Sequence, residues 1–214
     1  MKGVPRATIK RLVIYYRCLS KMAKQDNHEV ISSLNLGKKV GISAAKVRKD
    51  LSYFGDFGCK GVGYNVDELK RSLAKILGFN EACSMVLVGA GNLGRALVNF
   101  QEFKKMGLNI VEIFDNDLNK IGNKVGKFVV KSSKKLKKVV TEKDIEIGII
   151  AVTPDEAQPV ADKLVEAGIA AIWNFAPVSL KIPEDVIVYY EDLSSSIVTL
   201  NYRLHHKKKK VKEI

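Results

Sequence analysis

A glycine-rich segment in the middle of the chain constrains the fold more than any other feature. Residues 89–94 fit the pattern GxGxxG, with an apolar run at 85–88 before it and a segment of helical character after it. In that context the glycines permit a tight turn, close approach of a pyrophosphate and close packing of helix on sheet. The pattern predicts a dinucleotide site rather than a glycine-rich turn without a ligand. The predicted phosphate-binding residues are Gly89, Ala90, Gly91, Asn92, Leu93 and Gly94.

An aspartate supports this interpretation. Asp115 ends the next apolar run, 21 residues after Gly94. A carboxylate at that place binds the hydroxyls of an adenosine ribose and repels a 2′-phosphate, so the ligand is expected to be NAD(H) rather than NADP(H). Asp117 competes for the same role, and an ordinary turn residue is the alternative for Asp115.

Beyond residue 80, short apolar runs alternate with segments of helical periodicity. The runs lie at 85–88, 110–114, 145–152, 170–173 and 186–190. The helical segments lie at 93–105, 133–140 and 154–167. This alternation predicts a Rossmann-like, doubly wound parallel sheet with helices on both faces.

The first 79 residues predict a winged helix-turn-helix. Four helices are expected: over residues 8–23, from 32 or 33 to about 40, over 44–54 and over 66–77. The expected N-caps are Thr8 for the first helix, Ser32 or Ser33 for the second and Ser43 for the third. Four glycines interleaved with aromatic residues at 55–64 predict a small wing.

The third of these helices is the predicted recognition helix. Lys46, Lys49 and Tyr53 share the face opposite its apolar residues, where basic side chains can reach guanine edges or phosphates in a major groove. An ordinary solvated helix face is the alternative. The predicted DNA contacts are Ser43, Lys46, Arg48, Lys49, Ser52 and Tyr53, with Lys60 and Gly61 in the wing.

Charge is distributed unevenly along the chain. Residues 1–79 hold 16 Lys/Arg against 6 Asp/Glu, and residues 203–214 hold 6 against 1, whereas residues 80–202 hold 14 against 16. A basic head indicates a polyanionic partner, with a solvated face serving solubility as the alternative.

The histidines argue against hydride-transfer chemistry. They are His28, His205 and His206, and none follows a predicted strand. A dehydrogenase needs a positioned acid or base and a substrate pocket, so we interpret the dinucleotide as a signal. A small NAD-dependent oxidoreductase is the alternative function, and a DNA-binding regulator that reads an acyl-CoA is a third.

Other features concern compartment and metals. No stretch approaches the roughly 20 apolar residues of a membrane span, and the first residues lack a hydrophobic signal region. Cys18, Cys59 and Cys83 lack CxxC spacing, which predicts reduced thiols and no metal site. The chain is expected to be cytoplasmic, without membrane association.

A last helix is predicted over residues 193–204, with Asp192 as its cap. Its apolar stripe must pack on its own domain or on a partner subunit; the stripe comprises Leu193, Ile197, Val198, Leu200 and Leu204. The predicted division is a winged-helix domain at 1–79, a Rossmann domain at 80–190, a C-terminal helix at 191–206 and a disordered basic tail at 207–214.

Several of these segments resemble the Rex family of redox-sensing transcriptional repressors. Residues 47–64 are similar to the family's recognition helix and wing, and residues 88–97 to its phosphate loop. Residues 114–117 and 174–178 are similar to further family segments, and the resemblance runs from about 5 to 202.

The resemblance implies a non-enzymatic homodimer whose C-terminal helix is domain-swapped, packing between the Rossmann domain and the winged helix of the other subunit. It implies binding to double-stranded operator DNA when NADH is low relative to NAD⁺, and release when NADH binds. It adds four residues to the expected cofactor site: Thr153, Phe175, Pro177 and Leu193.

The resemblance also implies coupling residues between nicotinamide and head. Arg17 matches an arginine of the first helix, and Asp192 matches an aspartate at the swapped helix. Phe100 stands where the family has a tyrosine, Leu193 where some members have a phenylalanine, and Lys60 where a wing arginine is usual.

Overall fold

The computed structural model describes residues 3–24, 29–59 and 61–212, with side chains described as far as residue 206. The chain divides into two compact units between Glu81 and Ala82. Each unit has a hydrophobic core of its own. Within the described residues, no helix combines the length and the apolar character needed to cross a bilayer.

The N-terminal unit packs short helices around a small apolar core. The helices are α1 Arg6–Met22, α2 Ser33–Val40, α3 Ala44–Ser52 and α4 Val66–Ile76. Strands β1 Val30–Ile31 and β2 Tyr64–Asn65 form an antiparallel pair. At most 2% of the surface is exposed in each of the core residues Leu12, Leu19, Leu36, Val47, Leu51 and Leu73.

Two of the three helix caps predicted for this unit are present and one is wrong. Ser32, rather than Ser33, caps α2 by accepting a hydrogen bond from Asn35 N, and Ser43 caps α3 in the same way. The N-cap residue of α1 is Pro5, whose φ of −64° suits helix entry, and not Thr8. Thr8 instead lies within the first turn, 1% exposed, with its hydroxyl in a buried hydrogen bond.

The wing is smaller than the sequence predicts. In the described residues between 55 and 64, Cys59 and Gly63 form a single antiparallel bridge. The strand that follows, β2, pairs with β1, which lies before the helix-turn-helix in the chain. Strand β1 was not predicted, because a strand of two residues shows no periodicity.

The C-terminal unit contains a parallel sheet of the Rossmann type, as predicted. Its strands are β3 Cys83–Val88, β4 Leu108–Asp115, β7 Lys131–Ser132, β8 Ile147–Ile150, β9 Ala171–Asn174 and β10 Ile187–Tyr190. A separate hairpin is formed by β5 Lys124–Val125 and β6 Phe128–Val129. The spatial order is β10-β9-β8-β3-β4-β7, so the chain changes direction across the sheet between β3 and β8.

Side chains of β3 show that the sheet is covered on both faces. Val86 and Val88 belong to a core that includes the helices α7 Leu136–Glu142 and α8 Pro154–Glu166. Met85 and Leu87 belong to a second core, against the helices α5 Asn92–Val98 and α6 Gln101–Lys105. Because successive side chains of a strand point to opposite faces, an uninterrupted apolar run is required here.

Two predicted helices differ from those observed. The helix predicted over 93–105 is interrupted at Phe100, which has an extended backbone with ψ of 97°. Asn99 ends α5 there: its backbone N and its side-chain amide both donate to Arg95 O, and the next amide, Phe100 N, donates to Leu97 O three residues back. The helix predicted over 133–140 begins as a 3-10 turn and becomes α-helical only from Leu136.

The last helix, α9 Leu193–Lys212, is longer than predicted. The tail was predicted to be disordered from residue 207 onwards, and this prediction is wrong for residues 207–212, which are helical. No glycine or proline separates Leu204 from Lys212, and lysine is a good helix former, so nothing local ends the helix.

Candidate dinucleotide site and nucleic-acid interface

The glycine loop lies at the carboxyl end of β3, where the direction of the chain across the sheet reverses. Gly89 N donates to Phe114 O of β4, and Ala151 N, directly after β8, donates to Val88 O. In open α/β sheets this crevice between diverging connections is the place where ligands bind. The motif predicted from sequence therefore stands where the fold opens a site.

Two of the glycines are required by the protein's own packing. A Cβ on Gly94 would lie 1.9 Å from Gly89 O, so only glycine lets α5 approach the loop. Gly89 has φ of +109°, and a Cβ there would lie 2.3 Å from Ala151 O. Gly91 is different, because nothing lies within 4 Å of the place where its Cβ would be. Its absent side chain leaves space on the ligand side of the loop.

Asp115 ties the end of β4 to the glycine loop. One carboxylate oxygen accepts a hydrogen bond of 2.8 Å from Ala90 N, and the other accepts one of 2.9 Å from Asp117 N. Lys120 Nζ lies 3.3 Å from the first oxygen. Asp115 has 8% of its surface exposed, and its carboxylate already has three protein partners. It therefore holds the loop in shape, in addition to the ribose contact that its position predicts.

Burial raises the pKa of Asp115, but the hydrogen bonds from Asp117 N, Ala90 N and Lys120 outweigh that effect, and the net pKa lies below its ordinary 3.8. Because the pKa is lowered in the folded state, the carboxylate stabilises the fold fully above pH 3.8 and loses this effect as the pH falls through the lower value.

We predict that Asp115→Asn lowers stability at neutral pH by about 1.5–3 kcal/mol, the scale of hydrogen bonds to a charged group. The gap between wild type and variant should narrow as the pH falls below about 4, towards the lowered pKa at which the wild-type carboxylate becomes protonated in the folded protein. Thermal unfolding of both proteins across this range measures the gap. A gap that stays constant would show that the charge of Asp115 does not contribute.

A cavity of about 430 Å³ lies beside the loop. The structure brings seven of the predicted cofactor residues to it: Gly89, Gly91, Asn92, Leu93, Asp115, Thr153 and Phe175. Ala90 and Gly94 lie behind the lining, in the hydrogen bond and the close packing described above. Lys120 and Glu156 also line the cavity and were not predicted from sequence, since a lysine in a turn and an acid on a helix have no distinguishing pattern.

Two predicted cofactor residues lie elsewhere within this unit. Pro177 lines a separate depression together with Tyr190 and Asp192. Leu193, at the start of α9, has 62% of its surface exposed. Neither residue lines the cavity beside the glycine loop, so the structure does not bring them together with the other predicted cofactor residues.

An aromatic row leads away from the cavity. Between ring centroids, Phe175 lies 4.5 Å from Trp173, and Trp173 lies 5.9 Å from Phe103. The Phe103 centroid lies 4.9 Å from that of Phe100. Phe100, the predicted coupling residue, is 49% exposed at the far end of this row. Phe100 is thus connected to the cavity by packed rings rather than by a hydroxyl group.

Asp192 caps α9, as predicted. Its carboxylate accepts hydrogen bonds from the hydroxyl and the backbone N of Ser194, and these bonds lower the pKa of the carboxyl. Arg17, another of the predicted coupling residues, lies on the exposed side of α1.

The predicted DNA-contacting face of α3 is solvent-exposed. Lys46, Arg48 and Lys49 are exposed, and Tyr53 has 41% of its surface accessible. Arg48 donates a hydrogen bond to Ser33 Oγ and so braces α3 against α2, while Ser52 donates to Lys49 O. In the wing, Gly61 is exposed, and Lys60 lies outside the described residues.

Comparison with known proteins identifies the family. The redox-sensing transcriptional repressor Rex of Desulforamulus reducens is 48% identical over 206 residues, covering 96% of this chain and 98% of the relative. The protein of the same name from Carboxydothermus hydrogenoformans is also 48% identical, covering 95% and 99%. The chain belongs to the Rex family. Its relatives are named as repressors and not as enzymes.

Solved structures of a Rex-family repressor, RSP, have the same fold. RSP in complex with β-NAD⁺ and operator DNA is 42% identical, with a TM-score of 0.90 over 99% of this chain and 98% of that one. RSP in complex with β-NADH is 40% identical, with a TM-score of 0.87 over the whole of both chains. The predicted fold class is confirmed. Residues 80–178 match the model of a CoA binding domain, and residues 3–52 match a model for the N-terminus of DNA-binding proteins.

Proposed function

We propose that this Rex-family protein is a non-enzymatic repressor that binds operator DNA when NADH is scarce relative to NAD⁺ and is released when NADH binds. The observation that carries the proposal is the match, over nearly the full length, to RSP in complex with NAD⁺ and operator DNA. The intact glycine loop, Asp115 and the exposed basic face of α3 support it from this chain's own residues. The proposed location of the protein is the cytoplasm.

In this proposal, residues 1–79 bind the DNA and residues 80–190 bind the dinucleotide. The cavity beside Gly91 takes the dinucleotide, with Asp115 and Lys120 at its adenosine-ribose end. Lys46 and Lys49 contact the duplex from the exposed face of α3. Arg17, Phe100 and Asp192 couple the two sites.

A homodimer is part of the same proposal. Leu193, Ile197, Leu200 and Leu204 follow the 4-3-4 spacing of a helix-pairing seam, and each is between 49% and 62% exposed. Such a stripe on a helix of this length favours burial against a second subunit. The swapped arrangement implied by the family provides that cover for residues 191–206, and two heads related by a two-fold axis would fit adjacent half-sites.

NADH releases DNA only if it binds the released form of the dimer more tightly than the DNA-bound form. NAD⁺ must show a smaller difference between the two forms. The test is therefore DNA binding, by gel shift, at a fixed total coenzyme concentration and a range of NADH:NAD⁺ ratios. The bound fraction should fall as the ratio rises, and a bound fraction independent of the ratio would contradict the proposal.

The ligand needs its own test, because residues 80–178 match a CoA-binding model. NADH, NAD⁺, CoA and ATP are titrated separately, with Trp173, the chain's single tryptophan, as a fluorescence reporter near the cavity. The proposal expects the tightest binding for NADH. Preferential binding of CoA would favour a regulator that reads a different nucleotide, and turnover of a hydroxylated substrate would favour the oxidoreductase alternative.

Part of the preference of NADH for the released form is proposed to come from an ion pair between Arg17 and Asp192, or from its rearrangement. Substitution of Asp192 tests this coupling. Asp192→Asn retains the N-cap, because asparagine caps helices as well as aspartate does, but it removes the charge. We expect this variant to bind DNA and NADH while needing a NADH concentration about five- to tenfold higher for release, the lower end of the range for coupling between two sites.

Asp192→Ala provides the comparison, because it removes both the cap and the charge. If Asp192→Asn behaves as wild type and only Asp192→Ala is impaired, the residue acts through the helix cap and not through an ion pair. Gel-shift titrations with NADH, at equal protein and DNA concentrations, separate the two outcomes.

A further inference from the structure

The recognition helix carries a carboxylate on its inner side that the DNA-binding role does not explain. Asp50 lies on α3 between the exposed Lys49 and the buried Leu51, and none of its surface is exposed. An aspartate at such a position is costly unless every lone pair is satisfied. The core of this unit is otherwise built from apolar side chains, which include Val47 and Leu51 of the same helix.

All the described hydrogen-bond donors to Asp50 come from one face of α1. Thr8 Oγ1 donates over 3.1 Å and Tyr15 OH over 2.8 Å. Arg11 donates from two nitrogens, Nε at 2.5 Å and Nη2 at 2.6 Å, which engage the two carboxylate oxygens as a fork. These donors, at spacings of three and four residues, form a row along the helix.

The pair stays ionised in this setting. Burial raises the pKa of Asp50, but the hydrogen bonds from Arg11, Tyr15 and Thr8 bring its net pKa below the ordinary value. Arg11 is correspondingly held in its charged form, since its pKa is raised by the Asp50 hydrogen bond. A bidentate guanidinium–carboxylate pair is directional, so α3 cannot rotate or slide on α1 without breaking it.

We infer that Asp50 is a positioning residue for DNA recognition, which fixes the rotation and depth of α3 on α1 through Thr8, Arg11 and Tyr15. The apolar contacts of α3 hold the helix in the core, but apolar contacts tolerate small shifts. Base contacts in a major groove do not, because their hydrogen bonds need the side chains within a few tenths of an ångström. The inference rests on the proposed function, since it assigns the presentation of Lys46 and Lys49 to a residue that touches no DNA.

The experiment compares three full-length variants with wild type. Asp50→Asn removes the charge at nearly constant shape, and Tyr15→Phe removes one donor without changing charge. Asp67→Asn is the matched control: it raises the net charge by the same amount and removes an acid paired with a cation, Lys70, at 3.8 Å. Each is titrated against a duplex selected by the wild-type protein from a random-sequence library, and against a scrambled duplex of equal length.

We expect Asp50→Asn to lose about tenfold or more in affinity for the selected duplex, the effect of misplacing one or two base contacts. Its affinity for the scrambled duplex should stay close to that of Asp67→Asn, because attraction to phosphates follows charge. The quantity that decides is the ratio of the affinity for the selected duplex to the affinity for the scrambled duplex. Tyr15→Phe should lower this ratio less than Asp50→Asn does, and Asp67→Asn should leave it unchanged. The NADH affinity of all three should equal that of wild type.

Thermal unfolding and circular dichroism establish that each variant is folded at the assay temperature. A role in stability alone would leave the ratio of affinities unchanged in folded protein, so a wild-type ratio in folded Asp50→Asn and Tyr15→Phe overturns the inference. If Asp50→Asn does not fold, Tyr15→Phe and Arg11→Lys decide by the same ratio. If wild-type protein selects no duplex, the proposed function itself fails, and this outcome is distinct.

Discussion

Replacing Gly91 with alanine leaves the protein folded and bound to DNA but shifts its response to much higher concentrations of NADH. Gly91 has φ of −73°, which alanine adopts readily, and its added Cβ would meet no atom within 4 Å. The exchange at an N-cap position costs about 1 kcal/mol or less. The new methyl group occupies the space through which a pyrophosphate approaches the backbone. Overpacking of that contact costs roughly 1–3 kcal/mol, which weakens NADH binding about 5- to 150-fold.

Calorimetric titration with NADH measures the loss, and a gel shift shows whether the variant stays on DNA at NADH concentrations that release wild type. Gly94→Ala is the informative comparison. Its Cβ would lie 1.9 Å from Gly89 O, so this variant should lose thermal stability even without ligand. Wild-type NADH affinity in Gly91→Ala would mean that no phosphate lies against the loop, and the proposed binding mode would be wrong.

The double substitution Lys46→Ala/Lys49→Ala weakens operator binding about 30-fold or more. Both side chains are exposed on α3, and each contact to a guanine edge or phosphate contributes roughly 1 kcal/mol or more. If both contacts are to phosphates, the slope of log affinity against log salt concentration should fall by about 2. Fluorescence anisotropy with a labelled operator duplex at several salt concentrations measures affinity and slope together.

The control removes the same charge from another helix of the head. Arg71→Ala/Lys75→Ala takes two exposed cations from α4, and it should reduce affinity only through the weaker long-range attraction. Equal losses in the two double variants would show that the head binds DNA through its overall charge and that α3 is not the recognition helix. NADH affinity should be unchanged in both, because the dinucleotide cavity lies in the other unit.

The elements predicted most accurately are those with strong local preferences. Ser43 and the glycine after α2 bound the turn before α3, and Pro154 begins α8 as proline does at a first helical position. The helix break at Phe100 was not predicted, because the apolar spacing continues across it and the extended backbone of Phe100 is visible only in the folded chain. Strands of two residues, such as β7, escaped prediction because they are too short to show a pattern.

The same distinction holds for the candidate site. The glycines and Asp115 were identified because a tight turn after a buried strand allows few residue types. Lys120 and Glu156 were missed because any surface turn or helix accepts them, and their place at the cavity follows from the path of the chain. The tail was predicted to be disordered from its charge, although its backbone preference is helical.

The sequence by itself determined the order of the longer elements, the two kinds of unit, the dinucleotide loop and the basic face of α3. Hydrophobic period, glycine conformation and helix caps are properties of neighbouring residues, and they can be read along the chain. Only the tertiary structure decided which groups meet across long separations. Asp50 is 35 to 42 residues from Tyr15 and Thr8, and nothing local pairs them. Their contact exists because burying the apolar faces of α1 and α3 brings the carboxylate to its donors, where leaving it without partners would cost too much.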